Sequence, residues 1–565
     1  MSLEAASIPV LIITTQDSTS SNLKRSYTNF APSIWHDTFL HYADPQSLEI
    51  NEILKEKVQV HKEKVKMYLS SNDNISQKLN IIDSIQCLGL SYHFEREIDE
   101  ILAQIHFHFT NNSLGTKQSS LYFLALFFRL LRQNGYHVSS DIFNKFIKNN
   151  EGKFNEIITQ DVEGMWSLYE ATQLRVHGEN ILEEAHNYTY TNLKSITNQL
   201  SQSLAEQTNR SLKQPLHKAV PRIGARSYMS FYEEDPSHSK FLLTFARLDF
   251  NLLQKLHQQE LGNITKWWKR SEFATKVPYI RDRVVEAFFW PFAMSSEPNY
   301  STTRCMIGKF GACISLVDDT YDVYGTVQEL ELFTEAIQRW DSSCIASLPE
   351  CMRVVFNAII ELFVEIESLI IDSGKSNLVL QHVKQAFSNM AHGYMVEAKW
   401  CDEGYIPTYD EYKVNGILTS VYPFLVTTFI ALGEFATKEM FDWVFNVPII
   451  LKAATFICRL TNDLASHKFE QQRKHVASAV ECCMEQYDIS QEQAYEVINK
   501  EISNCWKDVN EAYLNSHDIP KHVLDSIVNL ARISEFMYEN FEDKYTNNEL
   551  LKNYVATLFL DPIVI

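Results

Sequence analysis

Ile314-Ser315-Leu316-Val317-Asp318-Asp319-Thr320-Tyr321-Asp322 closes an apolar run that begins at Ile307 and is broken by a few small or polar residues. Carboxylates at the end of a buried segment are costly unless they are paired or bound to metal. In a helix Asp318 and Asp322 share one face at i, i+4, about 6 Å apart along the axis. Asp319 points roughly a quarter-turn aside. Two oxygen donors on one face suit Mg²⁺, which takes a couple of carboxylates and fills its shell with water and phosphate. Alone, the same residues also describe an acidic turn favoured by a helix dipole, so the surrounding chain has to discriminate.

Working outward, the pattern stays helical. Ile50, Ile53, Leu54 and Val58 recur at three- and four-residue steps. Residues 123–131 are almost wholly apolar and predict a buried helix that stops at Asn134-Gly135, with Ser140 and Asp141 able to cap the next element. No alternating strand of useful length and no internal repeat is found, so the predicted class is all-α. The domain boundary falls in Tyr232-Glu233-Glu234-Asp235-Pro236-Ser237-His238, acidic and proline-bearing between two helical patterns. The predicted division is a flexible leader at 1–24, a helical domain at 25–236 and a second at 237–565. His106 and His108 have no third metal ligand near them in sequence, and the first half has no DxDD run. No chemistry is assigned there.

Bulk properties narrow the class. A chain of 565 residues can bury a large core, and 16 Gly with 15 Pro disfavour a turn-rich β protein. A formal charge of -20 argues against a nucleic-acid partner, which would need a basic stripe. Ten cysteines, nine of them in the second half and none in a CxxC pair, read as reduced thiols. No run of about 18 apolar residues predicts a transmembrane helix. The first basic residue is Lys24, which does not fit a signal or transit peptide. A cytoplasmic protein is expected.

The discriminating feature is a second oxygen-donor face. In Arg459-Leu460-Thr461-Asn462-Asp463-Leu464-Ala465-Ser466-His467-Lys468-Phe469-Glu470, residues Asn462, Ser466 and Glu470 fall at i, i+4, i+8 along about 12 Å of one helix. An amide oxygen, a hydroxyl and a carboxylate can chelate a further Mg²⁺. The natural guest between two such faces is a diphosphate, and it wants fixed cations. Arg281-Asp282-Arg283 precedes the first motif, and Arg459 sits one turn before Asn462. Guanidinium forks match phosphate oxygens and stay charged.

Taken together, Asp318-Asp319-Thr320-Tyr321-Asp322, Asn462-Asp463-x-x-Ser466-x-x-x-Glu470, Arg281-Asp282-Arg283, Lys266-Trp267-Trp268-Lys269, Tyr232-Glu233-Glu234-Asp235 and Leu558-Phe559-Leu560-Asp561-Pro562-Ile563 resemble, in order and spacing, the plant class I terpene synthases, most closely the cytosolic sesquiterpene synthases. The resemblance implies an N-terminal α-barrel-like domain and a C-terminal class I terpenoid synthase helical bundle. It implies that Asp318 and Asp322 bind Mg²⁺ directly with Asp319 in support, and that Asn462, Ser466 and Glu470 hold a third Mg²⁺. Mn²⁺ is a possible substitute. Arg281, Arg283 and Arg459 would bind the diphosphate, with Asp318, Asp322 and Asn462 reaching the substrate through metal. Trp290 matches the pocket tryptophan, and Tyr538 with Asp543 a pair tied to proton handling or cavity shape. Gly416-Ile417-Leu418-Thr419-Ser420 matches the place where a pocket helix breaks. Residues 541–550 would form a lid, and 25–35 a strand capping the site.

The implied activity is Mg²⁺-dependent ionisation of farnesyl diphosphate to a cyclic C15 product by a monomer. Alternatives are a monoterpene or acyclic terpene alcohol synthase using geranyl or farnesyl diphosphate, a chain-elongating prenyltransferase, and a non-catalytic helical scaffold. The family's tandem arginine is here Lys24-Arg25, with nine residues before Trp35 instead of eight, which weakens the C10 reading. Pro291 after Trp290 departs from the usual small helix former and removes a backbone donor.

Overall fold

The computed structural model describes residues 30–44, 52–71, 74–111, 119–146, 156–471 and 475–565. The expected leader and Lys24-Arg25 lie outside the described residues. Helices and short turns make up the regular structure, and no strand occurs among the described residues. Local chemistry sets many of the helix starts. Thr326 with Glu329, Thr408 with Glu411, Ser478 with Glu481 and Ser490 with Gln493 each form a reciprocal capping box that satisfies two orphan N–H groups. The apolar 123–131 run lies in the buried helix Leu121–Gln133, capped by Ser120 and followed by Gly135 at φ +86. The next element is a 3₁₀ turn, Ser140–Phe146, and its cap is the Ser139 hydroxyl, which accepts from Asp141 N at 3.2 Å.

Helix Pro221–Glu234 ends at the acidic, proline-bearing stretch, and Ser239 caps the next helix, Lys240–Ser271. That 32-residue helix is roughly 48 Å long and is the spine of the second domain. The buried, bidentate Arg304–Glu260 pair at 2.9 and 2.7 Å ties it to helix Ser301–Asp319. The segment 30–44 also lies on the spine although it comes from the N-terminal end of the chain. A Cβ built on Gly262 would sit 2.5 Å from Ala43 N and 2.9 Å from Phe39 O, so only glycine admits that crossing.

The site is enclosed by helices Ser301–Asp319, Asn377–Glu403, Tyr409–Thr419, Tyr422–Leu432, Ile449–Glu470 and Lys521–Met537. The stretch Tyr409–Leu432 is apolar and long enough to cross a membrane, but 72% of that window is buried inside the protein, as a core wall requires. It breaks at Val421, whose φ of 72 is left-handed. A β-branched residue rarely adopts that conformation. The expected break region, 416–420, thus ends one residue short of the distorted position.

Candidate active site

The first acidic face is built by a change of helix type. Helix Ser301–Asp319 continues as a π turn, Thr320–Tyr324, so Asp318 lies in the last α turn and Asp322 on the π turn. Thr320 helps set the turn: its hydroxyl donates to Leu316 O at 2.6 Å and meets Tyr279 Oη at 2.9 Å. Asp319, 1% exposed, accepts Arg281 N at 2.7 Å and Arg281 Nε at 2.9 Å, while Arg281 Nη2 reaches Asp318 at 2.5 Å. Burial lifts the Asp319 carboxyl to about 7 against the pull of Arg281. Burial also raises Asp318, again opposed by Arg281 and reinforced by Asp322. Asp319 therefore works as the seat of Arg281, which also reaches Asp318.

The second face lies on helix Ile449–Glu470. Arg459 Nη2 donates to Asn462 Oδ1 at 3.0 Å, and its Nε, 3.8 Å from Asp463, has no hydrogen bond. Asp463 is buried and accepts from Tyr412 Oη at 2.6 Å and Ala479 N at 3.0 Å, which anchors the helix from behind. Ser466 Oγ is buried and leans towards Glu470 without completing a well-formed hydrogen bond. Burial pushes the Glu470 carboxyl up to about 8, helped by Asp463 and then Asp322. Arg459 in turn lowers Asp318. The two faces are thus within electrostatic reach of each other.

These donors fit a divalent cation. Glu470 is a half-buried carboxylate near Asp463 and Asp322, and Ser466 offers a buried oxygen without a hydrogen-bond partner. Among the described residues no three Asp, Glu, His or Cys side chains converge on one point. Mg²⁺ binds through one or two carboxylates plus phosphate and water.

The remaining predicted residues divide. Trp290 meets the Tyr545 ring edge-on, centroids 5.5 Å apart. The Tyr538 hydroxyl is raised by burial and then by Asp543. Asp543 accepts from Tyr545 N at 2.9 Å and Thr546 N at 3.0 Å, so it shapes the loop. Arg283 is 1% exposed, and four of its five N–H groups donate to the carbonyls of Ala31, Asp282, Tyr545 and Thr546, which ties it to the chain segments around it.

One acidic residue of the site has no motif to announce it. Glu397, on helix Asn377–Glu403, accepts from Thr419 Oγ1 at 2.7 Å and Asn415 Nδ2 at 3.3 Å beside the helix break. Loss of solvent lifts its carboxyl to about 7, with Arg459 opposing. Only the fold brings it to Arg459. A cavity of about 230 Å³ between the domains, lined in part by His217, Asn510 and Arg532, shares no residue with this site.

Residues 34–212 match the family described as the terpene synthase N-terminal domain, and 269–508 the terpene synthase metal-binding domain. The chain is a terpene synthase. Other terpene synthases resemble it along nearly their whole length. It is 47% identical to a (-)-germacrene D synthase of Vitis vinifera over 549 residues, 97% of each chain. It is 44% identical to a sesquiterpene synthase of Santalum austrocaledonicum, covering 96% of this terpene synthase and 97% of the other. The isoprene synthase of grey poplar leaves (Populus x canescens), solved with three Mg²⁺ ions and dimethylallyl-S-thiolodiphosphate, superposes with a TM-score of 0.85 at 34% identity, over 91% of this chain and 98% of that one. The all-α, two-domain fold and the lyase class follow for this terpene synthase.

Proposed function

We propose that this terpene synthase is a Mg²⁺-dependent sesquiterpene synthase that ionises farnesyl diphosphate and turns the resulting cation into a C15 product. The observation that carries the reading is the half-buried Glu470, with the unsatisfied Ser466 hydroxyl beside it, within electrostatic reach of Asp322. When bound, Mg²⁺ supplies charge neutralisation on the diphosphate oxygens as the allylic C–O bond breaks. In the chain itself each candidate diphosphate arginine leans on a candidate metal-binding oxygen: Arg281 on Asp318 at 2.5 Å, and Arg459 on Asn462 at 3.0 Å. With Mg²⁺ held by Asp318 and Asn462, Arg281 and Arg459 would be freed for the diphosphate in exchange. Asp319 keeps Arg281 in place through the exchange. No side-chain nucleophile is required. Trp290, Tyr538 and Tyr545 offer aromatic faces to the cation, worth roughly 2 kcal/mol each when desolvated.

The sesquiterpene relatives and the altered tandem arginine favour a C15 substrate. Incubation with Mg²⁺ and farnesyl, geranyl or geranylgeranyl diphosphate, followed by product analysis and diphosphate assay, tests this. Release from none of the three overturns the reading. A higher kcat/KM with geranyl diphosphate transfers it to a monoterpene synthase.

A further inference from the structure

The turn Val284–Ala287, directly after Arg281-Asp282-Arg283, is gripped by two segments from opposite ends of the chain. From the N-terminal side, Trp35 is 7% exposed and its Nε1 donates to Glu286 Oε1 at 2.7 Å. Glu286 is fully buried and its second carboxylate oxygen has no partner. From the C-terminal side come the carbonyls of Tyr545 and Thr546, which Arg283 binds at 3.0 and 2.9 Å while also holding Ala31 O at 2.9 Å. Asn548 Nδ2 donates across to Pro32 O at 3.2 Å. Both segments close over Arg281, whose guanidinium lies 5.1 Å from the Phe30 ring and 5.7 Å from the Tyr545 ring.

A buried guanidinium is retained only while its donors are satisfied. The partners of Arg283 are carbonyls, and three of the four belong to these two segments, so opening either one removes part of what satisfies the charge. The two closures are therefore coupled through a single side chain. Glu286 is likewise a buried acid whose one formed bond goes to the anchor of the N-terminal segment. Neither residue touches the acidic faces.

We propose that Glu286 and Arg283 are positioning residues that dock segments 30–44 and 541–550 as one unit over Arg281, and so set how well water is kept from the cation. The inference builds on the proposed function, because its catalytic consequence needs a carbocation. When closure is imperfect, a water oxygen bonds to the cationic carbon, a proton is lost to solvent, and an alcohol leaves in place of a hydrocarbon.

The full-length protein carrying Glu286→Leu, Glu286→Gln or Gly262→Ala decides it. Gly262→Ala displaces segment 30–44 from its far side and is the safeguard should Glu286→Leu fold poorly. Hydrogen–deuterium exchange without substrate, and alcohol-to-hydrocarbon ratio with Mg²⁺ and farnesyl diphosphate, are the readouts. Glu286→Leu and Gly262→Ala are expected to speed exchange in 30–44 and in 541–550 together, on the order of tenfold, the worth of one buried hydrogen bond. The alcohol fraction should rise severalfold while kcat for diphosphate release stays within about twofold. Glu286→Gln keeps an acceptor for Trp35 and should restore both readouts. Wild-type exchange in Glu286→Leu, faster exchange in one segment alone, or an unchanged alcohol fraction each overturn the proposal. Should the wild type turn over no prenyl diphosphate, the functional reading falls and the exchange data still decide the docking.

Discussion

At the scale of single residues, the site carries more negative charge than its own arginines balance. Glu470, raised to about 8 by burial among other acids, destabilises the protein that carries it. Glu470→Gln is therefore expected to raise the unfolding free energy in the absence of metal, by roughly 1–2 kcal/mol, while removing turnover. Calorimetry beside a diphosphate assay checks both halves. Asp318→Ala is expected to remove turnover with the fold retained by circular dichroism, because Asp319 keeps its own two bonds to Arg281. Trp290 contributes a ring face and no charge. Trp290→Leu should redistribute products several-fold, read by gas chromatography, with a smaller change in diphosphate release. The acidic motifs were legible as short spacings in the chain, the second along one helix and the first across an α-to-π junction. Glu397 and the carbonyl cradle of Arg283 were not, because sequence separations of 62 and about 252–263 residues join their partners.

At the scale of elements, the irregular positions carry the site. The π turn Thr320–Tyr324 and the left-handed Val421 interrupt helices that the apolar pattern extends without a break. Periodicity predicts where a helix buries a face; it does not predict the one residue at which packing overrides the backbone. For Val421 the override is visible. Thr419 Oγ1 is held by Glu397 at 2.7 Å on one side, and on the other the Tyr422 hydroxyl donates to Leu530 O at 2.7 Å. The left-handed conformation costs a β-branched residue about 1–2 kcal/mol. Val421→Gly removes that cost and adds freedom to the unfolded chain. Stability by urea titration should stay within about 1 kcal/mol of wild type. The looser break should broaden the product mixture, and an unchanged mixture would mean the break is held by its neighbours alone.

At the scale of the whole molecule, the N-terminal domain bears on the catalytic bundle through a buried polar joint. Asn510, 4% exposed on helix Gln491–Asn515, donates to the carbonyls of Gln173 and Arg175 at 2.9 and 3.0 Å and accepts from His217 Nε2 at 2.8 Å. The His217 carbonyl takes Arg532 Nε at 2.7 Å. None of these groups touches the acidic faces, so the joint should govern stability and leave the chemistry alone. Asn510→Ala orphans two carbonyls and an imidazole N–H, a loss of about 3 kcal/mol if water from the adjoining cavity repairs part of it. Acid should attack the same joint. Burial and then Arg532 hold His217 down to about 3 from an ordinary 6.5. The unfolded chain therefore binds a proton that the folded one refuses, and stability falls as pH drops from about 6.5 towards 3. His217→Gln, which cannot protonate, should flatten part of that slope in urea titrations run across the range. The wild-type product ratio should survive Asn510→Ala. A shifted ratio would show that the seating of the N-terminal domain helps shape the pocket.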